Sequence, residues 1–253
     1  MKTSNKVLFG GLGIVLLLGI ALAGITRSNS VVYSPEECDK LPSIKKELDF
    51  KFESISATQN IELTLKQGEF KVSYTAPEKL APYINHYVEA GELKLELEKS
   101  YLKKGDFVPC RVQFTIQCPD LKQVSVSNGA SLIANGVFDT PNLNLRAQNG
   151  SWIEMNVQSD EVNVTAQNGA NVTLSGEIKY LDAKGVNSSN ITAKDADVNK
   201  TAIKLSNSAA ATIHADTIVR ADLVNSSLLK YVGATHLEDV KTVNSSSIER
   251  VDN

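Results

Sequence analysis

The sequence predicts an all-β chain whose larger part is a right-handed parallel β-helix of about seven coils. Three observations carry this. From residue 121 onward an asparagine recurs about every nineteen residues, small residues follow it, and apolar columns flank it at fixed distances. The asparagines are Asn128, Asn149, Asn168, Asn187, Asn207, Asn225 and Asn244, spaced by 21, 19, 19, 20, 18 and 19 residues. The residue after each is Gly129, Gly150, Gly169, Ser188, Ser208, Ser226 or Ser245, and the next is again Ala or Ser. Four positions before stand Val124, Leu145, Val164, Ala183, Ile203, Ala221 and Val240; four after stand Leu132, Ile153, Val172, Ile191, Ala211, Leu229 and Ile248.

A unit of this length holds two or three short strands and cannot bury its own apolar face. Stacked on its neighbours at about 4.8 Å per coil it can, and the columns become ladders along the stack. The Asn–small–small triplet is the corner between strands, because Asn and Gly tolerate the left-handed backbone and small residues let corners pack. Stacked asparagine amides can also hydrogen-bond along the axis, satisfying side chains that would otherwise be buried unpaired. Parallel crossovers are overwhelmingly right-handed, which sets the expected hand. Seven coils would span roughly 34 Å.

Composition agrees. Of twenty asparagines, sixteen lie at or after Asn128, and aromatics are only 6% with one Trp, so the core must be aliphatic. Disordered low-complexity tracts do not hold apolar columns in register. A formal net charge of −3 leaves no basic footprint for a nucleic-acid partner.

The elements preceding the repeats follow in order. Residues 1–27 are expected to be a signal anchor or signal peptide. Val7 to Ile25 carries no charge and Lys2 and Lys6 precede it, enough for one span of roughly 28 Å with the N-terminus cytoplasmic. The alternative is cleavage after Ala23, at the Ala21-Leu22-Ala23 site. Both place the remainder outside the cytoplasm, in the periplasm or at the surface. Residues 28–49, mixed in Ser, Pro and charge, suit a linker. Residues 50–120 alternate at period two around Ile61–Leu65, Phe70–Tyr74 and Leu93–Leu97, and form a strand-rich cap. Within it Pro77 to Val88 is the one soluble stretch expected to be partly helical, closed by Gly91.

Cys110 and Cys118 bound an alternating strand whose extended ends lie roughly 26 Å apart, beyond disulfide reach. Any bridge needs Cys38 and leaves one thiol over. The reading preferred from sequence is that both are small buried hydrophobes, with pairing of Cys38 to Cys110 or Cys118 left open.

The corners SNGAS (127–131), QNGSW (148–152) and QNGAN (167–171) resemble those of the putative auto-transporter adhesin, head GIN domain family. The resemblance covers about residues 50–253. It implies an extracytoplasmic, envelope-associated protein of Bacteroidetes type, with an adhesin-like role and no catalytic residues. The Asn-Ser corners from Asn187 onward depart from its glycine-rich pattern.

Chemistry is sparse. Polysaccharide lyases and hydrolases occur on β-helices, so a carbohydrate-active enzyme is the first alternative; three or more acids converging with a Lys or Arg in one groove would favour it. Asp139, Asp160, Glu161, Asp197, Glu238 and Asp239 fall in turn regions without a basic partner at the same offset, and read as solvated loop acids. His86, His214 and His236 occupy unrelated places, so no metal set is expected, and no cofactor. Eight Asn-x-Ser/Thr sequons occur, four of them simply the corner motif. Trp152, the single Trp, stands in a column otherwise held by polar or small residues and Leu228, and is expected to point outward beside Arg146 and Glu154, a candidate contact for glycan or protein. The last coil is expected to be open, so self-association through residues 240–250, or pairing with an envelope protein, is the remaining partner expectation. A self-assembling envelope scaffold is the second alternative.

Overall fold

The computed structural model describes residues 38, 40–98, 110–233 and 235–251. The expected signal or anchor segment, and with it membrane contact through residues 7–25, lies outside them. Among the described residues no helix is long and apolar enough to cross a membrane.

The described residues fall into two units, one holding Cys38, Lys40, Leu41 and Cys110, the other Pro42–Glu98 with the described residues from Arg111 onward. In the first, Cys38 and Cys110 form a disulfide with Cα atoms 5.4 Å apart. This corrects the preferred reading of Cys110 as a mere buried hydrophobe. Cys118 is the thiol left over, free and buried.

Among its described residues the second unit is all-β apart from one 3₁₀ turn, η1 (Ala81–Tyr83). Each coil has two strand segments joined at the corner. β8 (Gln123–Ser127) and β9 (Ser131–Asp139) meet at Asn128, and β10 (Asn142–Gln148) and the start of β11 (Trp152–Gln167) meet at Asn149. Then β11, β12 (Asn171–Val186), β13 (Asn190–Ser206) and β14 (Ala210–Val224) each run from one corner to the next, bending midway. β15 (Leu228–Val232), β16 (His236–Val243) and β17 (Ser247–Val251) complete the stack. Pairing is parallel and places each column as expected: Leu145 with Val124, Val164 with Leu145, Ala183 with Val164, Ile203 with Ala183.

The inward columns form the core. Val124, Leu145, Val164, Ala183, Ile203 and Ala221 are buried, as are Leu132, Ile153, Val172, Ile191, Ala211 and Leu229. Val240 breaks the first column at 41% exposure because the last coil has a neighbour on one side only.

One coil escaped the repeat count. β2 (Ser54–Thr58) and β3 (Ile61–Gln67) flank a corner at Gln59, whose φ is 58°. Ile55 registers with Val124 and Leu63 with Leu132, so this coil stacks directly beneath the Asn128 coil. Its Ile61 stands where every other coil has Ala or Ser.

Between those coils the chain makes a capping excursion. β6 (Glu92–Leu97) extends the stack beyond β2, and β7 (Val112–Cys118) extends it beyond β3. β5 (Ile84–Glu89) pairs antiparallel with β6, β4 (Lys71–Pro77) with β7, and β1 (Ser43–Leu48) with β4. The antiparallel strands close the edge of the stack. The partly helical expectation for Pro77 to Val88 is therefore corrected: after the single 3₁₀ turn, Ile84 onward is strand, drawn into pairing with β6. Ser43–Leu48, within the stretch expected as linker, is strand too.

Candidate functional site

Three features could meet a partner: the corner column, the second bend of the coil and the outward face between them. Each is set by the two-residue alternation that sends neighbouring side chains to opposite sides.

At the corner all seven asparagines have φ between 53° and 58°, and the residue after each is also left-handed. Asn149 Nδ2 donates to Asn128 Oδ1 at 2.9 Å, and the same bond repeats from Asn168, Asn187, Asn207, Asn225 and Asn244 to the asparagine one coil earlier. Asn128 Nδ2 donates to Thr58 Oγ1 at 3.0 Å, tying the ladder to the Gln59 coil. The ladder is exposed, not buried, which corrects the idea that it rescues hidden amides. The buried corner groups are the small residues two positions on, Ala130, Ser151, Ala170, Ser189, Ala209 and Ser227. Ser151 Oγ and Ser189 Oγ accept from the backbone N–H of Gln148 and Val186 at 2.8 and 2.9 Å. The column's amides are thus occupied with one another, a structural role.

At the second bend a cleft of about 420 Å³ is lined by Asp139, Gln158, Asp160, Glu177, Lys179 and Asp197 among others. Asp139, Gln158, Glu177 and Asp197 occupy one register column over four coils. Lys179 pairs with Asp160 at 2.7 Å, and that hydrogen bond raises the lysine's pKa. Here the sequence reading needs correction: Lys179 stands eleven after Asn168, as Asp160 does after Asn149 and Asp139 after Asn128, so a basic partner does share the offset. Glu161, Glu238 and Asp239 stand apart from the cleft lining; Glu161 Oε1 accepts from Asn163 Nδ2 at 2.9 Å.

The cleft brings four carboxylates and a lysine together, the arrangement that would favour an enzyme. Its walls are open to solvent, however. The side chains of Asp160, Lys179 and Asp197 are 62%, 72% and 81% exposed. Burial is what usually prepares a carboxyl group for acid–base work, and none of the four acids of this cleft is buried. His214 Nδ1 lies 3.7 Å from Asp197 Oδ1, while His86 and His236 are elsewhere. Among the described residues no group of three or more His, Cys, Asp or Glu is placed to hold a metal ion.

The outward face carries Trp152, 41% exposed at the start of β11, and Ile133, also 41% exposed, on the adjacent β9. Trp152 points outward, as expected, and Glu154 follows it on the same face of the strand. Arg146 is not its neighbour. It sits on β10, registered with Ser125 and Thr165, and the Asn149 corner separates the two. The corner stack therefore divides the two candidate contacts between different faces.

Residues 51–235 match the family model described as putative auto-transporter adhesin, head GIN domain. Similar solved structures include a putative adhesin from Bacteroides fragilis NCTC 9343, with 16% identity, a TM-score of 0.74 and coverage of 87% of this chain and 100% of that one. A putative adhesin from Parabacteroides merdae ATCC 43184 has 18% identity, a TM-score of 0.66 and coverage of 88% and 100%. A protein from Parabacteroides distasonis ATCC 8503 described as a putative lipid binding protein has 15% identity, a TM-score of 0.63 and coverage of 88% and 99%. At these identities the likeness establishes the fold. No curated protein matches the chain.

Proposed function

The chain belongs to the putative auto-transporter adhesin, head GIN domain family, and on that premise we propose that it is a non-enzymatic, extracytoplasmic, envelope-associated β-helix whose outward face binds another surface. The observation that carries this is the outward face of β9 and β11–β14, where Trp152 and Ile133 are exposed over a continuous buried core. Such a face offers a preorganised contact that loses little entropy on binding. The Cys38–Cys110 disulfide supports an oxidising compartment. Residues 7–25 would deliver the chain there, as an anchor or as a peptide cleaved after Ala23. The hand of the coil is taken as right by the crossover rule.

The carbohydrate-active alternative is weaker because the cleft acids are solvated. Release of reducing ends or unsaturated sugars from a polysaccharide panel, abolished by Asp160→Asn, would revive it. Adhesion is tested by comparing cells that display the full chain with cells that lack it, on surfaces coated with glycans or with proteins. Equal retention on every surface would refute the binding role.

Self-association is a second reading favoured by one observation. Among the described residues β16 and β17 pair on one side only, and Val240 and Val243 are exposed there. A sedimentation profile that is monomeric, and unchanged by Val240→Lys, would remove it; the scaffold alternative falls with it.

A further inference from the structure

We infer that the outward strip built on Trp152 is a docking track for a neutral polysaccharide, running along the stack across successive coils. This deepens the adhesin-like reading and rests on it. Register places Trp152 between Ser131 and Asn171, and Asn171 is followed by Asn190 and Ala210. Two residues further along each strand, Ile133, Glu154, Thr173, Thr192 and Thr212 form a second column, in register except for shifts outside these positions. The inward residues between the columns, Leu132, Ile153, Val172, Ile191 and Ala211, are buried, so the strip is a rigid two-column surface.

Its chemistry selects the occupant. Over the coils of β12, β13 and β14 the two columns offer amides, hydroxyls and a methyl, and no charge. Asn190 Nδ2 donates to Thr192 Oγ1 at 3.3 Å and Asn171 Nδ2 to the Gly169 carbonyl at 3.4 Å, so the amide orientations are held before any ligand arrives. At one end Trp152 supplies an aromatic plate, extended by Ile133. A neutral glycan presents C–H faces to stack on an indole and hydroxyls to pair with amides and threonines. Sites repeating about every 4.8 Å suit a polymer with its own repeat better than a compact ligand. On these three coils an acidic glycan, a nucleic acid or an anionic membrane would find no counter-charge; Glu154 stands beside Thr173 in the second column, and the cation of that column, Lys230, lies one coil further on, in register with Thr212. An acidic ligand would also face the carboxylates of Asp139, Asp160, Glu177 and Asp197 at the far end of the same strands, offset only by Lys179.

Trp152 is the only tryptophan in the chain, so emission excited at the red edge of the indole band, where the seven tyrosines absorb little, reports on the strip. The full chain is titrated with a soluble galactomannan, a β-glucan and a mannan, with polygalacturonate, and with phosphatidylcholine and phosphatidylglycerol vesicles, each at low and high salt. Migration in gels containing the same polymers is measured in parallel. The expected result is a saturable emission change and retardation with at least one neutral polysaccharide, insensitive to salt. Trp152→Ala should weaken retardation by about tenfold or more, as for a central aromatic anchor. Thr192→Lys, a surface change that leaves the core and the indole untouched, should weaken it several-fold.

Retardation by a neutral polymer that survives both substitutions overturns the strip as the site. A response to polygalacturonate or vesicles alone overturns the ligand class. No response to any of the three neutral polymers overturns the glycan inference. If cell retention in the display assay persists in those cases, the adhesin-like reading stands on another surface; if it is lost as well, both fail.

Discussion

Replacing Asn187 with alanine tests the corner ladder at its middle. Asn187 Nδ2 donates to Asn168 Oδ1 and its Oδ1 accepts from Asn207 Nδ2, both at 2.9 Å, and its φ is 54°. Alanine removes both bonds and must keep the left-handed backbone. A typical hydrogen bond contributes about 0.5–1.5 kcal/mol, and exposure puts these two at the low end, about 1 kcal/mol together. The left-handed conformation costs an ordinary L-residue about 1–2 kcal/mol, which asparagine relieves in part. The sum is about 2 kcal/mol. Asn187→Gly separates the two contributions, since it loses the amide but accepts the backbone, and should be clearly less destabilising than Asn187→Ala.

The assay is guanidinium unfolding of the full chain followed by far-UV circular dichroism, with amide exchange at residues 186–190. Exchange matters because a stack of coils can open locally rather than all at once. Asn244→Ala is the internal comparison. Its φ is 53° and it donates one ladder bond, to Asn225, so it should cost less by about one exposed hydrogen bond. A loss below about 0.5 kcal/mol for Asn187→Ala, or equal stabilities for the alanine and glycine variants, would refute the account of the corner.

Gly176 has φ +95°, and a Cβ there would overlap the Val157 carbonyl oxygen of the coil below. Gly176→Ala should destabilise by at least about 2 kcal/mol in thermal or chemical unfolding. The disulfide joins residues 72 apart, so reduction or Cys110→Ser should cost up to about 4 kcal/mol on the loop-entropy model, read as a lower denaturation midpoint. Burial, and secondarily the charge of Asp120, pushes the Cys118 thiol up to about 12. Iodoacetamide at about pH 8 should therefore leave Cys118 unmodified until the chain unfolds, as mass spectrometry would report. Burial lowers the His86 pKa, with the Lys46 charge adding to it. The neutral form is favoured in the fold, so this contribution is complete above the unfolded value near 6.5 and is lost as pH falls below it. Wild type should lose more stability between about pH 7.5 and 5 than His86→Gln does; identical pH profiles would count against the assignment.

The seven asparagine coils were legible because in-register stacking imposes the same demand at the same position of every coil. Inward positions must be apolar, and the position two past the corner must be small because it is buried against its copies. The Gln59 coil was not legible for the same reason inverted. Ile61 is large where the others are small, and the capping excursion puts Gln59 69 residues before Asn128, so no spacing betrays it. The strand after η1 was hidden because pairing with β6, a non-local event, decides the state of Ile84–Glu89. Strand geometry excluded a Cys110–Cys118 bridge and so required Cys38 in any disulfide, but it could not choose between Cys110 and Cys118, because that choice depends on where the chain before β1 lies. The offset of Lys179 from Asn168, eleven residues like that of Asp160 from Asn149, is legible in the sequence; its pairing with Asp160 across coils is not.

A likeness at 16–18% identity across nearly the whole chain has a physical meaning in this architecture. The stack asks little of a sequence: alternating apolar residues inward, small residues past the corner, and a left-handed-tolerant residue at it. Ile, Val, Leu and Ala exchange freely within a column, as Val124, Leu145, Ala183 and Ile203 already do within this one chain. Outward columns carry no such demand, because a side chain there touches only its neighbours in adjacent coils and solvent. Fold can therefore persist while every outward residue changes, so a relative's ligand does not transfer with its shape. Specificity must be sought in the outward columns of each chain, and here they are uneven. Three coils of uncharged Asn, Thr and Ala lie between the Trp152–Glu154 pair and Lys230, and an acidic column follows along the same strands. Nothing in coil packing requires that unevenness, which is why the strip, and not the far more regular asparagine ladder, is where binding should be tested.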